Sequence, residues 1–267
     1  MNKSILCFWI IANFTLVSCE IEKEHISIND NFDELSPLWV KDEIKDASRY
    51  EITNDPTDAN NNVLKFQLFP DDFNAGGKRN EFKLKTKDSI GMIVNYSFQF
   101  MLTEDFFKKD RPHDWIIIHQ WHDDPPKGKT WAEYGMLTKP PVHLYIQGNT
   151  DGNHKIVYTY GLWNRNMKLT RSFIFKEPIQ PNKWYTFSNE VLWDVKETAY
   201  SIPRINDEFL VETSENNEHK VFGANMYNVV PNYYKMGLYG NNLSKDTLSI
   251  YFDNFTYSLK KAECSCD

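Results

Sequence analysis

Met92-Ile93-Val94-Asn95-Tyr96-Ser97-Phe98-Gln99-Phe100 sets the fold class. Val94, Tyr96, Phe98 and Phe100 alternate with Asn95, Ser97 and Gln99, so a period of two lays these four apolar groups on one face of an extended strand. Outward in both directions the same pattern returns in Val63-Leu64-Lys65-Phe66-Gln67-Leu68, Lys155-Ile156-Val157-Tyr158-Thr159-Tyr160 and Leu248-Ser249-Ile250-Tyr251-Phe252-Asp253-Asn254-Phe255. β-Branched and aromatic residues fill these runs, which suits a pleated, half-buried surface. Turn signals separate them: Asn54-Asp55-Pro56, Gly76-Gly77, Pro125-Pro126, Asn149-Thr150-Asp151-Gly152 and Asn216-Asn217. None is long enough to be a linker, and no long amphipathic helical pattern, internal repeat or low-complexity tract interrupts the series. The expectation is all-β: a single β-jelly-roll sandwich of two antiparallel sheets.

The 267 residues suffice for one large domain. Hydrophobic residues at 41% and charged residues at 25% exclude disorder and a multi-span membrane protein. Aromatic residues make up 15%, a share that fits pleated sheets and flat sugar faces alike. A formal charge of −7 argues against sequence-independent nucleic-acid binding.

Met1 to Cys19 reads as a targeting segment: Lys3, an apolar run from Ile5 to Val17, then Ser18-Cys19. The run is shorter than the roughly 20 apolar residues of a membrane span. Leu16-Val17-Ser18-Cys19 resembles a bacterial lipobox, which implies cleavage before Cys19 and lipid attachment there. The expected division is a signal peptide over 1–18, a tether over 19–29, the jelly-roll domain over 30–260 and a tail over 261–267. The expected location is an exported bacterial lipoprotein on the outer membrane or cell surface, the alternative being a periplasmic or secreted protein. Membrane contact is expected only through the anchor, and the chain is expected to be a monomer. With Cys7 removed and Cys19 acylated, Cys264 and Cys266 remain, so there is no disulfide framework.

Three segments carry chemistry on the face opposite their apolar residues. In Lys78-Arg79-Asn80-Glu81-Phe82-Lys83-Leu84, Arg79, Glu81 and Lys83 oppose Phe82 and Leu84. In Trp115-Ile116-Ile117-Ile118-His119-Gln120-Trp121-His122, Gln120 and His122 share one face, His119 and Trp121 the other. In Tyr233-Tyr234-Lys235-Met236-Gly237-Leu238-Tyr239-Gly240-Asn241, Tyr233, Lys235, Tyr239 and Asn241 oppose Tyr234, Met236 and Leu238. Taken singly, each polar face suits plain solvation. Together they supply a fixed cation, an amide, an imidazole and a phenol, the set that β-elimination from a uronic acid requires. There the carboxylate is neutralised, the C5 proton is removed and the departing O4 is protonated.

These segments resemble those of β-jelly-roll polysaccharide lyases. Arg79-Asn80-Glu81-Phe82 is similar to the R-[ST]-E-L strand of alginate lyases, Gln120-Trp121-His122 to their Q-[IV]-H, and Tyr233-x-Lys235-x-Gly237-x-Tyr239-x-Asn241 to their Y-x-K-x-G-x-Y-x-Q. The Lys235-x-x-x-Tyr239 pair and the strand Pro140-Pro141-Val142-His143-Leu144-Tyr145-Ile146 resemble heparin lyase I and glucuronan lyase as well. The resemblance implies a concave groove that takes an acidic polysaccharide, such as alginate, glucuronan or a glycosaminoglycan-like polymer, and cleaves it by β-elimination.

By resemblance, Arg79 and Gln120 neutralise the uronate carboxylate, and His122 takes the C5 proton or assists Tyr239. Tyr239 protonates O4 or serves as base and acid together, with the Lys235 charge acting on its phenol. Glu81 is an orienting partner of Arg79 or Lys235. His119 competes with His122 if a bulge changes the strand phase. His143, Tyr145, Trp163, Arg165, Tyr233 and Asn241 are candidate substrate contacts, and the loop around Trp131 and Tyr134 is a further one. Trp184 and Trp193 read as core. Catalysis needs no cofactor; related jelly rolls imply a structural calcium at Asp253 with Asp30 or Asp33, aspartates that equally suit turns. A jelly-roll glycoside hydrolase and a noncatalytic glycan-binding lipoprotein are the alternatives.

Overall fold

A computed structural model of the chain describes residues 26–108, 115–134, 139–148, 153–163, 168–212, 218–240 and 246–261. The leader with Cys19, the C-terminal cysteines, Arg165 and Asn241 lie outside the described residues.

The chain runs through β1 (Ile26–Asp30), β2 (Val40–Glu43), β3 (Tyr50–Asp55), β4 (Asp58–Leu68), β5 (Lys78–Asp88) and β6 (Met92–Leu102). Next come β7 (Trp115–Asp123), a short helix α1 (Trp131–Tyr134), β8 (Val142–Gln147), β9 (Lys155–Tyr160), β10 (Arg171–Ile174) and β11 (Trp184–Leu192). It closes with β12 (Tyr200–Ile205), β13 (Glu208–Phe209), β14 (Val221–Phe222), β15 (Asn232–Gly240) and β16 (Leu248–Lys261). One sheet has the order β13-β12-β11-β6-β16-β4-β3, with β1 beside β16 and β14 beside β12; the other has the order β10-β9-β8-β7-β15-β5-β2. All the pairings are antiparallel, as in a jelly-roll sandwich.

β6 lies between β11 and β16, and its alternation places Val94, Tyr96, Phe98 and Phe100 in the core. They meet Phe66, Phe82, Phe187, Tyr234 and Phe252 from both sheets, mostly edge-on or tilted, the geometry ring quadrupoles favour. Each ring of this kind contributes about 1.5–3 kcal/mol by leaving water. Trp193 is in this core, whereas Trp184 is only half-buried and donates its indole N–H to Asp55 at 3.2 Å. The sandwich begins earlier than the sequence suggests: β1 pairs along β16, so residues 26–29 are sheet rather than tether.

The chemistry lies on the outer face of the seven-stranded sheet, where β15 runs between β5 and β7. Tyr233 is opposite His122, Lys235 opposite both Gln120 and Lys83, and Tyr239 opposite Arg79. Directly opposed residues have Cβ atoms about 4.5–5.5 Å apart, which gathers residues distant in sequence. Gly237 is required by close approach. Its φ is +146°, and a Cβ there would lie 2.3 Å from the Asn80 carbonyl oxygen.

Candidate active site

A cleft of about 710 Å³ is lined by Arg79, Gln120, His122, Lys235 and Tyr239, together with Glu43, Ala75, Gly76, Trp131, Ala132, Lys139, Pro140 and Trp163. A second lobe of about 470 Å³ continues past Lys139, Pro140, Trp163 and Tyr239 over His143, Tyr145, Thr159 and Ser172. Tyr239 therefore stands where the two lobes meet.

His119 is not in the cleft. A register shift in the β7–β8 pairing sets Ile117 through His119 against only Tyr145 and Leu144. Ile118 and His119 both face the core, while Gln120 and His122, beyond the bulge, face the cleft. His119 is fully buried, bonded to the Tyr96 hydroxyl at 3.0 Å and the Lys235 carbonyl at 3.3 Å, and packed on Tyr234. Burial pushes it down to about 3, so it is a neutral core group set away from the cleft.

Under the cleft lies an ion cluster centred on a residue the sequence reading missed. Glu43 Oε2 accepts from Arg79 Nη1 at 2.9 Å and Lys235 Nζ at 2.6 Å, while its Oε1 is 3.4 Å from Lys83 Nζ. Burial pushes the Glu43 carboxyl up, but Lys235 and Arg79 outweigh it and hold the group down at about 2. Glu81 is fully buried; its Oε1 accepts from Gln120 Nε2 at 2.5 Å, and its Oε2 is 3.5 Å from Arg79 and 3.9 Å from Lys235. Burial raises its pKa against the pull of those two cations. Glu81 thus orients Gln120 and Arg79 from below.

Tyr239 is clamped on three sides. The Arg79 guanidinium lies 3.9 Å from its ring centroid, Trp115 meets it edge-on at 5.4 Å, and Gly77 backs it so closely that a Cβ there would come within 2.7 Å of Cε2. The cation set against this phenol is Arg79; Lys235, to which the sequence reading gave that role, is bonded to Glu43. The turn Asn74-Ala75-Gly76-Gly77, closed by mutual Asn74–Gly77 backbone bonds and positive φ at Ala75 and Gly76, brings Gly77 to this position.

At the other side of the cleft, His122 Nδ1 is 2.9 Å from the Asp123 carbonyl. A carbonyl only accepts, so Nδ1 carries a proton, and the tautomer this selects for the uncharged ring has its lone pair on Nε2. Trp131 meets the ring edge-on at 5.3 Å and Tyr233 stacks at 6.5 Å. Tyr233 also lies beneath the Lys83 and Lys235 ammonium groups, and burial raises its pKa, so it stays a neutral phenol. The Asp123 carboxylate lies alongside: Oδ1 is 3.2 Å from His122 Nδ1, and Oδ2 accepts from Tyr134 and Asn228.

In the second lobe His143 Nδ1 donates to the Pro140 carbonyl at 3.1 Å, and burial pushes this histidine down to about 4. Its neighbour on the same face, Tyr145, is half-buried. Trp163 lies under the Lys139 ammonium at 4.3 Å. The Tyr227 hydroxyl bonds the backbones of both Lys139 and Trp163, fixing the rim shared by the lobes. The proposed calcium ligands already have protein donors: Asp30 accepts from Trp39 and Phe32, Asp33 from Asn31, and Asp253 from Asn61 and Asn254. Among the described residues no three His, Cys, Asp or Glu side chains are placed to hold a metal ion together.

Among the positions around the cleft, Glu43 carries no sequence signal: it has no motif around it, lying on a four-residue edge strand. Asp123 did leave a signal, since it directly follows His122 at the end of the same strand.

The chain belongs to the polysaccharide lyase family: the family model described as "Polysaccharide lyase" matches residues 24–256. It is accordingly a lyase acting on polysaccharides. No curated protein matches the sequence. Among solved structures, the endo-β-1,4-glucuronan lyase of the fungus Trichoderma reesei superposes with a TM-score of 0.61 at 13% identity, over 88% of this chain and 94% of that one. The alginate lyase Aly36B gives 0.55 at 11% identity, over 89% and 96%. A family 7 alginate lyase bound to product gives 0.51 at 11% identity, over 85% of each chain. At these identities the likeness is one of fold.

Proposed function

We propose that this lyase cleaves a uronate-containing polysaccharide by β-elimination, with Arg79 and Gln120 on the carboxylate, His122 as base and Tyr239 as acid. The observation that carries the reading is the meeting of these four groups, with Lys235, in one cleft. Arg79 and the second amide N–H of Gln120, the first being donated to Glu81, are the donors for the sugar carboxylate, whose neutralisation makes the C5 proton removable. His122 Nε2 takes that proton, the C4–O4 bond breaks as the C4–C5 double bond forms, and the Tyr239 hydroxyl gives its proton to O4. Lys235 is held by Glu43 and supports the cluster rather than the phenol. Lobes on both sides of Tyr239 supply room for sugars on both sides of the broken bond, with Trp163, His143 and Tyr145 as contacts. Glucuronan and alginate, the polymers named for the structural neighbours, are the first substrates to try.

A hydrolase would need two carboxylates flanking the bond, about 5–9.5 Å apart. Glu43 and Glu81 instead share Arg79 and Lys235. The apolar leader and Cys19 support export and attachment through a lipid. The test of the function is incubation with alginate, glucuronan, unsulfated glycosaminoglycans and ulvan while following absorbance of the conjugated double bond. A rise on at least one polymer is expected; reducing ends formed without that absorbance would contradict elimination.

A further inference from the structure

Asp123 is a buried carboxylate whose environment is incomplete. It is 2% exposed, and burying an ionised carboxylate is expensive unless each oxygen finds a partner. Oδ2 is well served, accepting from the Tyr134 hydroxyl and from Asn228 Nδ2 at 3.0 Å. Asn228 also bonds Tyr134 at 2.9 Å and receives the Val230 N–H at 2.7 Å, so the two donors brace one another. Tyr134 is a neutral donor: burial raises its pKa, and the Asp123 carboxylate raises it further. Oδ1, by contrast, has no hydrogen-bond partner among the described residues. Among the described residues its nearest cationic candidate is the His122 ring, with Nδ1 at 3.2 Å.

We propose that Asp123, held by Tyr134 and Asn228, is a positioning residue that fixes the His122 ring and stabilises the imidazolium formed when His122 accepts the substrate proton. The inference rests on His122 being the base. Nδ1–H points to the Asp123 carbonyl, and while Nε2 holds its lone pair the carboxylate gains little from the uncharged ring. After Nε2 takes the proton, the ring is a cation beside a desolvated carboxylate, and the attraction appears at full strength in a poorly screened setting. The gain arises as the proton moves, so it accelerates the chemical step without tightening the resting complex. Because Tyr134 lies on α1 beside Trp131, the same segment that walls the cleft also holds the carboxylate in place.

The experiment is steady-state kinetics on a uronate polymer that the unmodified protein cleaves, with Asp123→Asn, Tyr134→Phe, His122→Ala and the His122→Ala/Asp123→Asn double variant. Asp123→Asn is expected to lower kcat by roughly 100-fold, within the range of a general base, with KM changed by less than about twofold. In the His122→Ala background the same change is expected to cost less than about twofold, since groups acting as a unit are not additive. Tyr134→Phe keeps the carboxylate and removes one donor; it is expected to lower kcat about fivefold, the worth of one hydrogen bond, and carries the test if Asp123→Asn does not fold. Unchanged kcat in both Asp123→Asn and Tyr134→Phe, or the full Asp123→Asn loss persisting without His122, would overturn the assignment while leaving the lyase reading intact. Near-normal kcat in His122→Ala would remove the base beneath it, and absence of any double-bond product from the unmodified protein would remove the lyase reading itself.

Discussion

Gly77→Ala puts a methyl group where the structure has room for none. The new Cβ would lie 2.7 Å from Tyr239 Cε2 and 3.2 Å from the Arg79 guanidinium, against an ordinary contact of at least 3.4 Å. The Tyr239 ring must therefore yield by at least about 0.7 Å, and it is not free to slide. Arg79 covers one face and Trp115 meets the ring edge-on. A displacement near 1 Å of a group that transfers a proton costs on the order of 100-fold in rate, so kcat is expected to fall 10- to 100-fold. The control is Gly76→Ala, one residue earlier on the same turn. No atom lies within 4 Å of its added Cβ, but its φ is +76°, so the cost is about 1 kcal/mol of backbone strain with little change in kcat. Initial rates of double-bond formation and thermal melts on both variants read the two effects apart. Gly77→Ala turning over at the parent rate, with the fold intact, would refute the claim that Tyr239 must be held where it is.

Tyr239→Phe removes the proton donor while leaving the ring stacked under Arg79; turnover is expected to vanish while oligosaccharide affinity, measured by calorimetry, stays within a few-fold. Residual turnover near the parent rate would contradict the acid role. Asp88 lies in the core, bonded by Thr86 and Tyr257, and burial pushes its carboxyl up to about 7 in spite of those bonds. Its folded pKa exceeds the unfolded value near 3.9, so the stability it contributes is full below about pH 4 and lost as pH rises to about 7, by as much as about 4 kcal/mol. Asp88→Asn is therefore expected to flatten the fall in urea midpoint between pH 4.5 and 7.5, and parallel profiles for the two proteins would contradict this.

Strand alternation was enough to read the sandwich and to say which side chains share a face, because that period is a property of each strand alone. Gln120 with His122, and Tyr233 with Lys235 and Tyr239, follow from it directly. What depends on a second strand was not legible. The bulge at Ile118–His119 exists only in register with β8, and the reason for Gly237 is the approach of β5. Lys235 reads as a partner of Tyr239 along its own strand, yet its ammonium bonds Glu43 from an edge strand far earlier in the chain. Trp184 reads as core from its run of apolar neighbours, but it is the first residue of β11, half-buried, with its N–H on Asp55. Residues 26–29 looked like tether because a five-residue strand carries little pattern of its own until it is set beside β16.

The most direct test of the central claim compares one polyuronate before and after chemical reduction of its carboxyl groups to hydroxymethyl groups. The backbone linkage and chain length are kept, while the charge that Arg79 and Gln120 are assigned to neutralise is gone. Double-bond formation on the native polymer and none on the reduced one is the expected result. Equal cleavage of both would show that carboxylate neutralisation is not what this cleft does.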